Sequence, residues 1–221
     1  MVGVTSYAFS TLPNDSDCLT VGLCYGEVGF SYFQAGSEEC EYHDFRGTFC
    51  ASCHSSPRWF NGGFYFIGEK GKLRVFKLVD EKPSWKLYNS PLTEEEIRWL
   101  NSGYLEVDGQ LMSVFFQEDG RTVQVFKFDI LEESWVELDD LGEYVLFLSQ
   151  ASSISIAEKD STKRNIIYLP KRAGNQIVYY SLDTCKYHVL GKEDCWNDFY
   201  GMTTSILLLD IITKYFSFYC V

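Results

Sequence analysis

The sequence predicts an all-β fold: a β-propeller or partial propeller of about four antiparallel blade-like sheets, with one short connecting helix. Three observations predict it. Short apolar runs of strand length alternate with turn-forming residues along the chain. Aromatic residues make up 17% of it, and flat rings pack well on a pleated surface. The chain also repeats itself. Val75-Phe76-Lys77 returns as Val125-Phe126-Lys127, and Ser84-Trp85 as Ser134-Trp135, each 50 positions later. A repeat of this length with several strands per copy suits a propeller, in which each small twisted sheet buries its two faces against its neighbours.

The elements follow in order. Strands over 18–25, 28–34 and 40–45 form a first set, turned at Gly26-Glu27 and at Ala35-Gly36-Ser37. A second set takes 58–61, 64–67, 73–79 and 84–88, with Gly62-Gly63 as a hairpin turn and Glu69-Lys70-Gly71 as another. Thr93 followed by Glu94-Glu95-Glu96 has the spacing of a helix capping box, and the acidic first turn suits the helix dipole. The spacing predicts a short helix over 94–101 that connects two blades. A third set runs through 103–108, 110–116, 122–130 and 134–138, turned at Asp108-Gly109 and Asp119-Gly120. A fourth runs through 144–149, 152–157, 165–170, 176–182 and 186–190. Weaker copies of the repeat are Val178-Tyr179-Tyr180 with Tyr187, and Tyr32-Phe33 with Tyr42. Trp85, Trp135 and Tyr187 are expected to fill the same slot between neighbouring blades. Residues 1–221 are read as one domain.

Composition limits the function. The formal net charge is -12, and such a field repels phosphate backbones, so no nucleic-acid partner is expected. The basic pairs Lys163-Arg164 and Lys171-Arg172 are read as loop charges. Residues 1–16 show no basic stretch followed by an apolar core, so no secretory signal is expected. The eight cysteines then read as small apolar core residues in a reducing compartment, cytoplasmic or nuclear. Residues 205–221 are strongly apolar but are interrupted by Asp210 and Lys214 and are short for a membrane span. They read as a closing strand or buried segment, and no membrane partner is expected.

Candidate chemistry is sparse. Cys50-Ala51-Ser52-Cys53-His54 has the spacing of covalent haem attachment, but that needs export and an axial ligand. A zinc site would need Cys40 and His43 as well, and these fall in an expected strand. His43, His54 and His188 have no nucleophile motif beside them. Asp108, Asp119, Asp139 and Asp140 sit where turns want aspartate, which outweighs a glycosidase-like pair. No catalytic residue, metal or cofactor is expected. Leu12-Pro13-Asn14-Asp15 looks like the start of an F-box, but it runs into a strand pattern at Cys18 instead of helices.

Several pieces together carry a resemblance. They are Tyr104-Leu105-Glu106-Val107-Asp108-Gly109, Val125-Phe126-Lys127-Phe128-Asp129, Ser134-Trp135, Leu141-Gly142, Leu146-Phe147-Leu148, Ser153-Ile154-Ser155-Ile156-Ala157 and Asn165-Ile166-Ile167-Tyr168-Leu169. In order and spacing they resemble the plant β-propeller family found downstream of F-box motifs, of the F-box/kelch-repeat type, which includes the propeller of the kink-suppressor F-box proteins. The resemblance covers roughly 10–200. It implies a substrate-recognition propeller, in which an F-box docks on the Skp1–cullin scaffold and the propeller holds a protein client. This chain departs from the plan in lacking an F-box and in its apolar segment 201–221. The Skp1–cullin scaffold is therefore a partner only if an F-box is supplied elsewhere.

Two further expectations follow. About four blade-like sets leave a partial ring, and open sheet edges favour self-association. The function expected is non-enzymatic protein binding through loops that the sequence does not single out. The alternatives are a truncated, non-functional family product and a glycan-binding or glycan-active propeller.

Overall fold

The computed structural model describes residues 4–24, 29–37, 39–44, 56–68, 71–93, 100–116, 122–148, 153–173, 176–191 and 195–196. These residues form eighteen strands and one short 3-10 turn, Ser161–Lys163. The first sheet holds β1 (Val4–Phe9), β2 (Leu19–Cys24), β3 (Gly29–Gln34) and β4 (Glu41–Asp44). The second holds β5 (Arg58–Phe60), β6 (Gly63–Ile67), β7 (Leu73–Val79) and β8 (Lys82–Tyr88). The third holds β9 (Leu100–Val107), β10 (Gln110–Phe116), β11 (Val123–Asp129) and β12 (Ser134–Leu138). The fourth holds β13 (Tyr144–Phe147), β14 (Ile154–Ala157), β15 (Ile166–Ala173), β16 (Gln176–Ser181), β17 (Lys186–Val189) and β18 (Cys195–Trp196).

The first three sheets are antiparallel meanders in chain order, as expected of blades. The fourth runs β14-β13-β15-β16-β17-β18. There β13 pairs parallel with β15, where the sequence pattern suggested antiparallel pairing throughout. The reason is that β14 folds back on the inner side of β13. The chain then crosses through Ser161–Lys163 and re-enters on the other side of β13. The edge strands β1, β5, β9 and β14 come together, with β1 against β5 and β9 against β14. Arg58 at the start of β5 donates from Nη2 to the carbonyl oxygen of Ser153, just before β14, at 3.0 Å.

Three apolar cores hold the sheets to their neighbours. Alternation along each strand divides its side chains between two faces. Val21, Phe30 and Tyr32 of the first sheet meet Phe64, Phe66 and Phe76 of the second. Tyr65, Ile67 and Val75 on the opposite face of the second sheet meet Leu111, Phe115 and Phe126 of the third. Leu105, Val114 and Val125 on the opposite face of the third meet Leu146, Ile167 and Tyr180 of the fourth. Trp85, Trp135 and Tyr187 each lie in one of these cores, as the repeat required. Among the described residues, no core cluster joins the fourth sheet to the first.

The repeat is not exact in register. Trp85 pairs with Phe76, whereas Trp135 pairs with Phe128 and not with Phe126. The β7–β8 turn holds only Asp80 and Glu81, while the β11–β12 turn runs from Ile130 to Glu133. A shift of two residues keeps each side chain on its own face, so the slot is still filled.

Four local expectations need correction. The first sheet has a strand, β1, that the turn pattern did not mark. The β5–β6 turn is Asn61-Gly62, both at positive φ (43° and 71°), and Gly63 begins β6. Residues 94–99 of the expected helix lie outside the described residues, and Leu100 and Asn101 belong to β9. Lys171-Arg172 lies within β15 and not in a turn.

Candidate functional site

The first and fourth sheets each have one face that belongs to none of the three core clusters. On the first sheet the register places Tyr7, Gly22, Ser31 and Tyr42 in one row, with Phe9, Thr20 and Phe33 beside it. These residues alternate with Ala8, Val21 and Tyr32, which point into the core. Tyr7, Phe9, Phe33 and Tyr42 are 40–57% exposed. Large rings left in water on one face of a strand are unusual beside such well-buried opposite faces. The rest of the patch is small or hydroxylic, and the Tyr42 ring leans over Gly29, where a Cβ would lie 2.6 Å from its hydroxyl oxygen.

The fourth sheet carries a ladder of rings on the face turned away from the third. Phe147 on β13 pairs with Tyr168 on β15, Tyr168 with Tyr179 on β16, and Tyr179 with His188 on β17. Phe147 and Tyr168 stack at 4.7 Å and 9°. Tyr168 and Tyr179 are tilted at 5.6 Å. Tyr179 and His188 stack at 5.1 Å and 14°. The His188 ring nitrogen Nε2 and the Thr184 hydroxyl are 2.9 Å apart. Partial burial and the neighbouring Lys186 charge hold the His188 imidazole below its ordinary range.

The other titratable groups support the sheets. His43 stacks on Phe30 at 5.3 Å and on Tyr32 at 5.6 Å, against the first core. Burial, then a hydrogen bond and the charge of Glu41, pushes the Tyr32 phenol up to about 12. Lys86 bonds both carboxylate oxygens of Glu133, and the Tyr88 hydroxyl donates to the same carboxylate at 3.3 Å, which ties the second sheet to the third. Asp108 turns β9 into β10 at φ 48°, and Asp140 accepts from the Gly142 amide at 2.8 Å. Both are turn aspartates, as read from the sequence. Asp119, Cys50, Cys53 and His54 lie outside the described residues. Among the described residues, no group of three His, Cys, Asp or Glu side chains gathers as metal ligands. Cys18 is buried, as expected, but Cys40 and Cys185 are exposed, so the reading of the cysteines as core residues does not extend to them.

Sequence reasoning placed the binding surface on unnamed loops, and neither ring patch was foreseen. The alternation Tyr7-Ala8-Phe9 was available as a signal for the first. The second depends on the parallel β13–β15 pairing, which no local pattern announces.

Comparison with known proteins gives two findings. Residues 2–188 match the family described as the KIB1-4 beta-propeller. Over 201 residues the chain is 27% identical to the F-box/kelch-repeat protein At1g57790 of Arabidopsis thaliana, covering 85% of this chain and 55% of that protein. The chain thus spans about half the length of this curated relative. Among the described residues, no helix is long and apolar enough to cross a membrane.

Proposed function

Because the chain belongs to the KIB1-4 β-propeller family, we propose that it is a protein-binding module that holds a client without converting it. Its likeness to an F-box/kelch-repeat protein supports a role in substrate recognition for a ubiquitin-ligase adaptor, in the cytoplasm or nucleus. The observation that carries the reading is the exposed ring patch Tyr7, Phe9, Phe33 and Tyr42 on the first sheet. Tyrosine and phenylalanine offer large contact areas at a low cost in side-chain entropy, and the tyrosine hydroxyls add hydrogen bonds at the rim. The net charge of -12 favours a client with a basic surface around an apolar centre. Recruitment of the Skp1–cullin scaffold would then need docking helices supplied elsewhere.

Affinity capture from a plant lysate tests this, with the Tyr7→Ser/Phe33→Ser variant run in parallel. The expected outcome is a defined client retained by the full chain and lost from the variant, while far-UV circular dichroism is unchanged. Equal capture by both chains would remove the first-sheet patch from the account. Hits on a glycan array would move the reading to carbohydrate recognition.

A further inference from the structure

We infer that the ring face of the first sheet holds an extended client segment with a cation at each end of an apolar stretch, a partner class that rests on the client reading above and narrows it. The face follows the plan of the other sheets. Trp85, Trp135 and Tyr187 each pack in the core that their own sheet shares with the preceding one. Tyr42, the corresponding aromatic of the first set, is on the like face of the first sheet but is 47% exposed. Two register rows lie on this face, Tyr7-Gly22-Ser31-Tyr42 and Phe9-Thr20-Phe33. Thr20 is only 4% exposed between the exposed rings of Phe9 and Phe33, and Gly22 is buried too. β2 is thus the floor of a shallow groove along the strands, with rings on β1 at one side and on β3 and β4 at the other. Its walls are two strand spacings apart at the backbone, ~10 Å, which leaves room for one extended chain.

Charge selects the occupant. Residues 1–45 hold seven acids and no lysine or arginine, so most of the net charge of -12 falls on the first set. A second copy would bring the same charge to the contact, and like charges face to face oppose pairing. A cationic segment gains instead. The exposed carboxylates Asp15 and Asp17 stand in the turn between β1 and β2, beyond the row of Phe9, Thr20 and Phe33. Exposed Asp44 shares the face of Tyr42 and pairs with Gly29 at the other end. Leu19, just past the turn, pairs with Gln34, and Gly29 starts the same strand β3. The acids at the two ends are therefore ~20 Å apart along the strands, the length of about six extended residues. A segment lying along β2 with cations six positions apart meets acids at both ends. Its alternate positions between them place apolar side chains among the rings. Phenylalanine and tyrosine faces also attract a guanidinium or ammonium group held over them, so rings and acids favour the same partner.

Fluorescence anisotropy of the full chain with three labelled nine-residue peptides tests it. All three carry leucine at positions 4 and 6 and serine at the odd positions, with arginine, citrulline or glutamate at positions 2 and 8. The arginine peptide is expected to bind about tenfold more tightly than the other two at low salt and to weaken several-fold as salt screens the acids. Tyr7→Ser/Phe33→Ser and Asp15→Asn/Asp17→Asn/Asp44→Asn should each lower its affinity several-fold, the second with a flatter salt dependence. Equal binding of the arginine and citrulline peptides, or binding of none, would overturn the inference, and these arms need only the native chain. Arginine binding that ignores the ring variant would overturn it as well. So would a dimer in sedimentation velocity that the ring variant abolishes, which gives the face to a second copy. Capture from a plant lysate separates this inference from the client reading. A client lost from the ring variant but fully retained by the aspartate variant leaves the client reading standing and refutes the basic segment. A client held equally by the native chain and the ring variant defeats the client reading itself.

Discussion

Arg58 and Ser153 are 95 residues apart in sequence, yet the guanidinium of one donates to the carbonyl oxygen of the other at 3.0 Å. The bond joins the edge strand of the second sheet to the segment that leads into β14 of the fourth. It spans a sheet, because the third lies between them in chain order. Ser153 is buried, so the bond sits where water competes poorly. Arg58→Met keeps the length of the stem and removes the donor. Its expected cost is about 1.5–3 kcal/mol in urea unfolding, the usual range for a bond from a charged donor. A change near zero would mean that the cores alone fix the edge strands.

Trp85 and Trp135 come from the same sequence repeat but carry unequal loads. Trp85 meets Phe76 at 4.6 Å and Phe30, across the sheet interface, at 4.7 Å. Arg74 also lies over its ring at 5.0 Å. Trp135 meets Phe128 at 5.3 Å. Trp85→Ala is expected to cost about 3 kcal/mol, and Trp135→Ala measurably less, since both rings are half-buried and the first makes close ring contacts on two sheets as well as a cation contact. Equilibrium denaturation of the two variants orders them. The reverse order would show that the two-residue register shift tightened the second slot.

The β7–β8 turn is strained in a way that the repeat does not need. Asp80 and Glu81 both sit at positive φ, 51° and 61°, with Val79 paired to Lys82 around them. A two-residue turn of this kind prefers glycine at its second position, as the Asp108-Gly109 turn shows. Glu81→Gly is expected to raise stability by about 0.5–1 kcal/mol, the left-handed penalty relieved less the added freedom of the unfolded chain. The same denaturation series measures it.

These cases show what the sequence could and could not say. The existence of four sheets was legible because each one repeats strand length, turn chemistry and a large aromatic in order. Trp85, Trp135 and Tyr187 were placed correctly for the same reason, since a two-residue slip preserves the face. The path of the fourth sheet was not legible, because β13 and β15 pair across an inserted strand and local alternation is blind to the choice of partner. The ring ladder inherits that blindness: Phe147, Tyr168, Tyr179 and His188 are scattered in sequence and meet only through registers. β1 was missed although Tyr7-Ala8-Phe9 alternates, since it precedes the first clear turn signal.

Three tyrosines should titrate late. Burial is the first cause in each case, and it pushes Tyr32, Tyr65 and Tyr180 up to about 12. Charges on Tyr88 and Glu133 add to the effect at Tyr65, and the Cys185 thiol adds to it at Tyr180. In the unfolded chain these phenols ionise near 10. Between about 10 and 12 the unfolded state has therefore released protons that the folded state retains. Stability is fully present below pH 10 and falls as pH rises toward 12. Absorbance at 295 nm should show a late phase that coincides with loss of near-UV dichroism, and Tyr180→Phe should reduce its amplitude. A single early phase with the fold intact would contradict the burial of these rings.

His188 supplies the acid-side counterpart. Its imidazole is held below 6.5 first by burial and then by Lys186. Between the folded value and 6.5 the unfolded chain binds a proton that the folded chain does not. The contribution is therefore present above 6.5 and is lost as pH falls through that window. His188 is only part-buried, so the effect should be read from the residue itself rather than from global stability. A proton NMR titration should give a midpoint below 6.5. Lys186→Ala should move it upward but not all the way, because the stack on Tyr179 remains.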